Sequence, residues 1–221
     1  GQLRQGLRYV WGEPRLRLPI LLLAVIGTFA FEFQVTLPLF AERSLGGNDT
    51  TFTWLYSTMS LGSVVGALLI ARRRDVSTHH LAWAAVWLGV SMAMLALSPN
   101  VALAVLAVIP VGVATIVMIS GANAVIQLRA EPEMRGRVLA LTAVVFIGST
   151  PIGGPIVGWA SESFGAASGI WLGAVASIVA GVVTLRELRR LGITPPPSQT
   201  VPGPDVPRAD VPTIEPGGDT A

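Results

Sequence analysis

One carboxylate interrupts a long apolar stretch near the start of the chain. Glu32 lies within the sequence TFAFEFQVTLPLF, residues 28–40. Placing a charged side chain in hydrocarbon costs at least ~2.5 kcal/mol on insertion scales, so we expect Glu32 to face protein or water. Thr28 and Thr36 stand four residues to either side, which places the three side chains on one face of a continuous helix. These residues are predicted to couple proton movement or to contact a substrate.

A structural role is the alternative for Glu32. A threonine hydroxyl would then hold the acid in its neutral form, or an arginine from outside this chain would pair with it. The six long apolar stretches of the chain contain no arginine or lysine, so they supply no cation for such a pair.

A second set of polar side chains lies in the fourth apolar stretch. Ser120, Asn123 and Gln127 follow one another at spacings of three and four residues, and this spacing puts them on one helical face. We interpret them as further candidates for contact with a substrate or a proton.

The composition indicates that these residues lie on membrane-spanning helices. The chain has 221 residues, of which 52% are hydrophobic and only 13% charged, whereas ordinary soluble domains are roughly 25% charged. A helix that crosses a bilayer needs about 20 mostly apolar residues. We therefore predict an all-α membrane protein with six transmembrane helices. The predicted spans are residues 18–40, 52–71, 81–97, 101–126, 138–160 and 166–185.

The arginines predict the orientation of these spans. All fifteen basic residues are arginines, and in a six-helix threading only Arg43 falls on one side of the membrane. The positive-inside rule makes the other side cytoplasmic, with both termini there. We expect a multi-pass protein of the inner or plasma membrane. The cytoplasmic groups are Arg4, Arg8, Arg15 and Arg17; Arg72, Arg73 and Arg74; Arg129, Arg135 and Arg137; and Arg186, Arg189, Arg190 and Arg208.

The two ends of the chain differ from the six spans. Residues 1–17 combine apolar residues at helical spacing with arginines, which predicts a short amphipathic helix on the cytoplasmic face. An unstructured linker is the alternative. Residues 191–221 are rich in proline and poor in large apolar side chains, and are predicted to be a disordered cytoplasmic tail. The first span is too long for a signal-peptide core, so we interpret it as a true span.

The sequence lacks the residues that several classes of function require. An intramembrane hydrolase needs a nucleophile with a nearby base, but neither His79 nor His80 falls within a predicted span and the chain has no cysteine. No GxxxxGK[ST] loop for ATP binding occurs. We expect no enzymatic activity, no cofactor, no metal site and no nucleic-acid partner. The expected partner of the six spans is the lipid bilayer.

Small residues at a four-residue spacing occur in several of the spans. In lipid, such spacing lets two helix backbones approach each other closely. The close contacts would serve either a sliding interface between helices or static packing. In STPIGGPIVG, two prolines among the glycines weaken the helix and favour the moving interface. The helix-packing candidates are Gly62, Gly66, Pro151, Gly153, Gly154, Pro155 and Gly158.

Two charged segments at the predicted cytoplasmic boundary are candidates for gating. They either anchor the membrane boundary or form a latch that pairs with a neighbouring helix end in one conformation. The candidates are Arg72, Arg73, Arg74, Asp75, Arg135 and Arg137.

Four stretches resemble the C-terminal half of a major facilitator superfamily transporter of the drug and siderophore exporter branch, which includes the enterobactin exporter. They cover most of residues 6–190 and correspond to the segments around the seventh, eighth and eleventh helices. The block STPIGGPIVG is similar to an antiporter motif, with Thr150 and Trp159 where that motif has glycines. The four stretches are GLRYVWGEPRLRLPILLL, FQVTLPLFAE, GSVVGALLIARRRD and EMRGRVLALTAVVFIGSTPIGGPIVGWASESFG.

The resemblance implies a twelve-helix protein built from two six-helix halves, with export driven by proton exchange. This chain would be the second half and would require the N-terminal half as its partner, with a small molecule as the substrate. In this superfamily the first and fourth helices of each half line the central cavity, which would place Glu32 and the Ser120 stripe along the substrate path. The alternative is a six-helix membrane protein that acts alone or as a homodimer, as a half-size carrier or a non-transporting scaffold.

Overall fold

The computed structural model describes residues 2–73 and 76–193, with side chains from Gln5 onward. These residues form eight α-helices and one π-helical turn, with no strand among them. The elements are α1 (Gln2–Gly12), α2 (Pro14–Phe29), α3 (Phe33–Leu39), the π-helical turn (Phe40–Ser44), α4 (Asp49–Ala71), α5 (Thr78–Ala96), α6 (Val101–Arg129), α7 (Pro132–Ser163) and α8 (Ser168–Arg190).

Six segments of the described residues are long and apolar enough to cross a membrane. The first, Pro14–Ser44, comprises α2, α3 and the π-helical turn, and each of the helices α4 to α8 forms one further span. This confirms the predicted all-α fold with six spans. The predicted tail from residue 194 onward, and the gating candidates Arg74 and Asp75, lie outside the described residues.

The first span is broken, and here the prediction of one continuous helix is wrong. α2 ends at Phe29 and α3 begins at Phe33, with Glu32 in the N-cap position of α3. Neighbouring helices pack against the break. The ring of Phe31 lies 5.6 Å from that of Phe146 in α7, and Gly173 of α8 contacts the backbone at Ala30. Thr28 and Glu32 therefore do not share one helical face.

Helix α7 begins earlier than the hydropathy of its sequence indicates. It was predicted over residues 138–160 but begins at Pro132, a residue well suited to the first position of a helix. Only Ala130 and Glu131 separate it from α6. Arg135 and Arg137, which were expected in a loop, are therefore exposed residues of the first turns of α7.

Glycines bring α4 and α6 into backbone contact. Gly62 of α4 lies against the carbonyl of Ile109, and Gly112 of α6 lies against the carbonyl of Met59. The hydroxyl of Ser63 donates to the carbonyl oxygen of Gly112 at 3.2 Å. A side chain at either glycine would collide with main-chain atoms, which cannot move aside as a flexible side chain can.

Helix α1 packs on the end of the bundle where the arginines gather, called here the arginine-rich end. The guanidinium of Arg137 donates to the side-chain carbonyl of Gln5 at 3.0 Å, and the amide of Glu131 donates to the Tyr9 hydroxyl at 3.3 Å. Val10 is buried against α6 and α7. The other side of α1 leaves Leu7 and Trp11 exposed, so the helix is amphipathic with one face on protein.

Candidate transport site

Glu32 is a buried acid at the break of the first span. Only 6% of the residue is exposed, and the oxygen Oε1 has no hydrogen-bond partner among the described residues. Its side chain does not cap α3. Its backbone carbonyl is engaged, since the hydroxyl of Thr36 donates to it at 3.1 Å. The carboxylate is thus shielded from lipid and only partly satisfied by the protein.

The cross-helix neighbours of the Glu32 carboxylate belong to α7. The side chain of Thr150 lies beside the carboxylate, and a methyl group built on Gly154 would lie 3.6 Å from Oε2. Thr150 and Gly154 are four residues apart and therefore occupy one face of α7. Together they form the wall opposite the acid.

Thr150 belongs to this site, although it is not among the site residues predicted from the sequence. In the sequence, Thr150 stands out only as a departure from a related motif, which has glycine at this position. Its four-residue spacing from Gly154 places both residues on one face of α7. That spacing points to the site only when α7 is known to pack beside Glu32.

Thr28 was predicted to share a helical face with Glu32, but the break between α2 and α3 separates the two residues. Its hydroxyl donates to the carbonyl of Ala24 in the same helix at 2.8 Å. Its own carbonyl lies against Gly153 of α7. Thr28 therefore takes part in packing between α2 and α7, whereas Thr36 lies within α3, one turn after the acid.

The first span and α7 run side by side in the same direction. Gly27 approaches Ser149, Thr28 approaches Gly153, and a methyl group built on Gly158 would lie 3.6 Å from Val35. Their sequence numbers increase together along both segments, which defines a parallel seam. Small residues on both sides allow this close approach.

Pro151 and Pro155 lie in the same stretch of α7 and are both exposed, away from the seam. Proline lacks the amide hydrogen that would bond the carbonyl one turn earlier. Two successive turns of α7 therefore lack a helical hydrogen bond next to the buried acid, while Gly153 and Gly154 lie between them. This part of α7 has the residues of a helix that can bend.

The polar stripe of α6 lies at a different depth from Glu32. Ser120 and Asn123 are half-buried and Gln127 is exposed. Ser120 is nine residues before the end of α6 at Arg129, or about 14 Å at the helical rise. Glu32 lies beyond the end of α2 at Phe29, which is 15 residues past Pro14, or about 22 Å along that helix. The two sets of candidates thus occupy different levels of the bundle.

The candidate gating arginines occupy exposed positions at the arginine-rich end. Arg72 and Arg73 directly follow the end of α4 at Ala71, and both are exposed. Arg135 is exposed on α7, and Arg137 binds Gln5. Their partner in the predicted latch, Asp75, lies outside the described residues.

The sequence of this helix bundle matches a known protein family. A family model described as "transmembrane secretion effector" matches residues 1–208. The chain belongs to this family. It is thus a multi-pass membrane protein of the major facilitator superfamily, which confirms the resemblance inferred from the sequence.

One relative of known name matches over most of the chain. The chain is 28% identical over 204 residues to the multidrug efflux pump Tap of Mycolicibacterium fortuitum, a match that covers 87% of this chain and 48% of Tap. The chain therefore spans about half the length of the curated relative it matches. No solved structure matches the chain.

Proposed function

We propose that this chain is the second six-helix half of a proton-coupled exporter of small amphipathic molecules, with Glu32 as the group that binds the proton. The observation that carries the proposal is the buried Glu32 carboxylate, whose oxygen Oε1 has no hydrogen-bond partner among the described residues. No arginine or lysine occurs in the apolar core of any span. A proton is thus the simplest positive charge that can neutralise this acid.

The surroundings of Glu32 suit a carboxyl group that alternates between a protonated and an ionised form. A protonated carboxyl group is tolerated in the closed seam between the first span and α7, whereas an ionised one requires water. Opening of the seam would admit water to the acid and release the proton. The glycines of the seam and the two prolines of α7 supply a place where such opening costs little.

The relative supplies the substrate class of the proposal. Tap is named a multidrug efflux pump, and this chain matches 48% of its length. We infer that six further helices complete the cavity and that the substrates are small amphipathic molecules. The acid at Glu32 and the polar stripe of α6 would then face the solute at two levels.

The proposed orientation places the arginine-rich end in the cytoplasm, in a cell membrane. Contacts between distant segments support one common end. Arg137 binds Gln5, and His79 at the start of α5 lies near Arg189 at the end of α8. The positive-inside rule then assigns this end to the cytoplasm.

The test of the proton role is the substitution Glu32→Gln in the complete transporter, reconstituted into proteoliposomes. We expect export driven by an imposed proton gradient to be lost, because glutamine cannot release a proton. Exchange of labelled for unlabelled substrate without a gradient should continue, since the amide keeps the shape of the acid.

The matched control is Glu42→Gln, because Glu42 lies in the same span but is exposed. It should keep gradient-driven export. Full gradient-driven export by Glu32→Gln would refute the proton role, and loss of both gradient-driven export and exchange would assign Glu32 to substrate binding instead.

A further inference from the structure

A groove lies between α4, α5 and α6 near the arginine-rich end of the bundle. Its volume is about 380 Å³, and both aliphatic and aromatic side chains form its walls. The residues that matter here are Leu69 and Arg73 on the α4 side, Trp83 and Trp87 on α5, and Val113 and Val117 on α6. It is separate from the Glu32 site, which lies between the first span and α7.

Two tryptophans form one wall of this groove. Trp83 and Trp87 are 60% and 57% exposed, and their four-residue spacing places both indoles on one face of α5. Trp83 is five residues beyond the start of α5 at Thr78, or about 8 Å along the helix. The indole of Trp83 is thus at the depth of the aromatic belt, where lipid headgroups meet the acyl chains, and Trp87 lies one turn deeper.

A cation lies at the mouth of the groove. Arg73 follows the end of α4 and is exposed, and no carboxylate occurs among the described residues that line the groove. His80 lies at the same mouth, with Nδ1 accepting a hydrogen bond from the Ser77 amide at 3.3 Å. Among the described residues, Arg73 therefore supplies the positive charge at the mouth, while the walls are apolar.

A second groove between α5 and α6 provides an internal comparison. It lies at the opposite end of these helices, has a volume of about 370 Å³, and is lined by residues such as Met94, Leu97, Leu103, Leu106 and Pro110. Its size matches that of the first groove, but its described lining contains no charged residue. The two grooves thus differ in charge and aromatic content, and hardly in volume.

We propose that the groove at Arg73 is a binding site for an anionic phospholipid. The guanidinium of Arg73 pairs with the phosphate of the headgroup, and one acyl chain lies along Trp83 and Trp87 against Val113 and Val117. A free phosphate ion would gain nothing from the apolar walls. A neutral hydrocarbon ligand would gain nothing from the arginine, so a phospholipid is the ligand that satisfies both parts of the groove.

The experiment uses the complete transporter purified in detergent. Phosphatidylglycerol and phosphatidylcholine with identical acyl chains are added in turn, and the lipid retained per protein is measured by quantitative mass spectrometry after washing. We expect phosphatidylglycerol to be retained in preference to phosphatidylcholine, with no competition from glycerol phosphate, which lacks acyl chains.

The matched variants are Arg73→Ala and Arg72→Ala, because each removes one positive charge but only Arg73 lines the groove. Arg73→Ala should lower phosphatidylglycerol retention about fivefold relative to Arg72→Ala, the effect expected of one basic residue near an anionic headgroup. Arg73→Lys should restore part of it. Trp83→Ala combined with Trp87→Ala should also lower retention, with Trp54→Ala combined with Trp159→Ala as its control.

Equal losses in the two arginine variants would show that the lipid responds only to general surface charge, and would overturn the site. Equal retention of the two lipids by the unmodified protein would overturn it as well. Displacement of phosphatidylglycerol by an export substrate would assign the groove to the solute instead of to lipid.

Discussion

Gly153 of α7 lies directly against the backbone carbonyl of Thr28 in α2. The contact occurs four residues before the buried acid Glu32, in the seam between the first span and α7. Because one partner is main chain, neither side can yield by changing a rotamer. The close packing of the seam next to the candidate proton site therefore requires glycine, without a β-carbon, at position 153.

The first prediction follows from this contact. Gly153→Ala should lower the stability of the complete transporter by about 1–3 kcal/mol, the usual cost of overpacking, and should reduce export. Thermal unfolding in detergent and an efflux assay measure the two effects. Gly148→Ala is the control, because Gly148 is in the same helix with open space around it; equal destabilisation by both variants would contradict the contact.

A second prediction concerns the hydroxyl beside the acid. Thr150→Val keeps the shape of the side chain but removes the group that lies next to the Glu32 carboxylate. We expect slower gradient-driven export with an unchanged unfolding temperature, measured in proteoliposomes and by thermal unfolding. Thr142→Val is the control, since the Thr142 hydroxyl donates only to Val138 in its own helix, at 2.8 Å. Equal export by the two variants would remove Thr150 from the site.

A third prediction separates two serines of α4. The hydroxyl of Ser63 contacts the carbonyl of Met59 in its own helix and that of Gly112 in α6, whereas Ser60 bonds only to Tyr56 in its own helix. Ser63→Ala should therefore destabilise the protein by about 0.6 kcal/mol, a typical value for a hydrogen bond between membrane helices. Ser60→Ala should change the unfolding temperature less; the reverse order would show that the contact between the helices contributes nothing.

A fourth prediction tests the docking of α1. Val10→Ala removes apolar surface from a side chain that is only 1% exposed. The loss should weaken the packing of α1 on the bundle by about 1.6 kcal/mol, the value for two buried methylene groups. Undocking should speed trypsin cleavage at Arg15. Leu7→Ala is the control, because Leu7 is already 46% exposed.

Cleavage at Arg15 also reports the orientation of the chain. It should occur in inside-out vesicles and not in intact cells, since the arginine-rich end is proposed to be cytoplasmic. Cleavage in intact cells would reverse the proposed topology.

The spans could be predicted because they depend on local composition. A run of about 20 apolar residues has few alternatives to a membrane helix, so the number of spans needed no tertiary information. The start of α7 was missed because Arg135 and Arg137 are too polar for hydrocarbon, although a helix can extend beyond the bilayer into water. Pro132 was the overlooked signal, as the first residue of that helix.

The surroundings of Glu32 could not be predicted from the sequence to the same extent. Its burial follows from the cost of a charge in lipid, but the placement of Thr28 on its face assumed an unbroken helix. The break packs against Phe146 and Gly173, which are more than a hundred residues away in sequence. Thr150 was missed for the same reason, since only the pairing of α2 with α7 brings it to the acid.

The position of Glu32 at the start of the seven-residue helix α3 has an electrical consequence. Any tilt of α3 about the break would swing the far end of this short helix while the carboxylate stays near the pivot. Moving an elementary charge through the whole membrane potential involves about 2.3 kcal/mol per 100 mV. A carboxylate that remains at one depth crosses little of that field, so rearrangement of α3 should depend only weakly on membrane voltage.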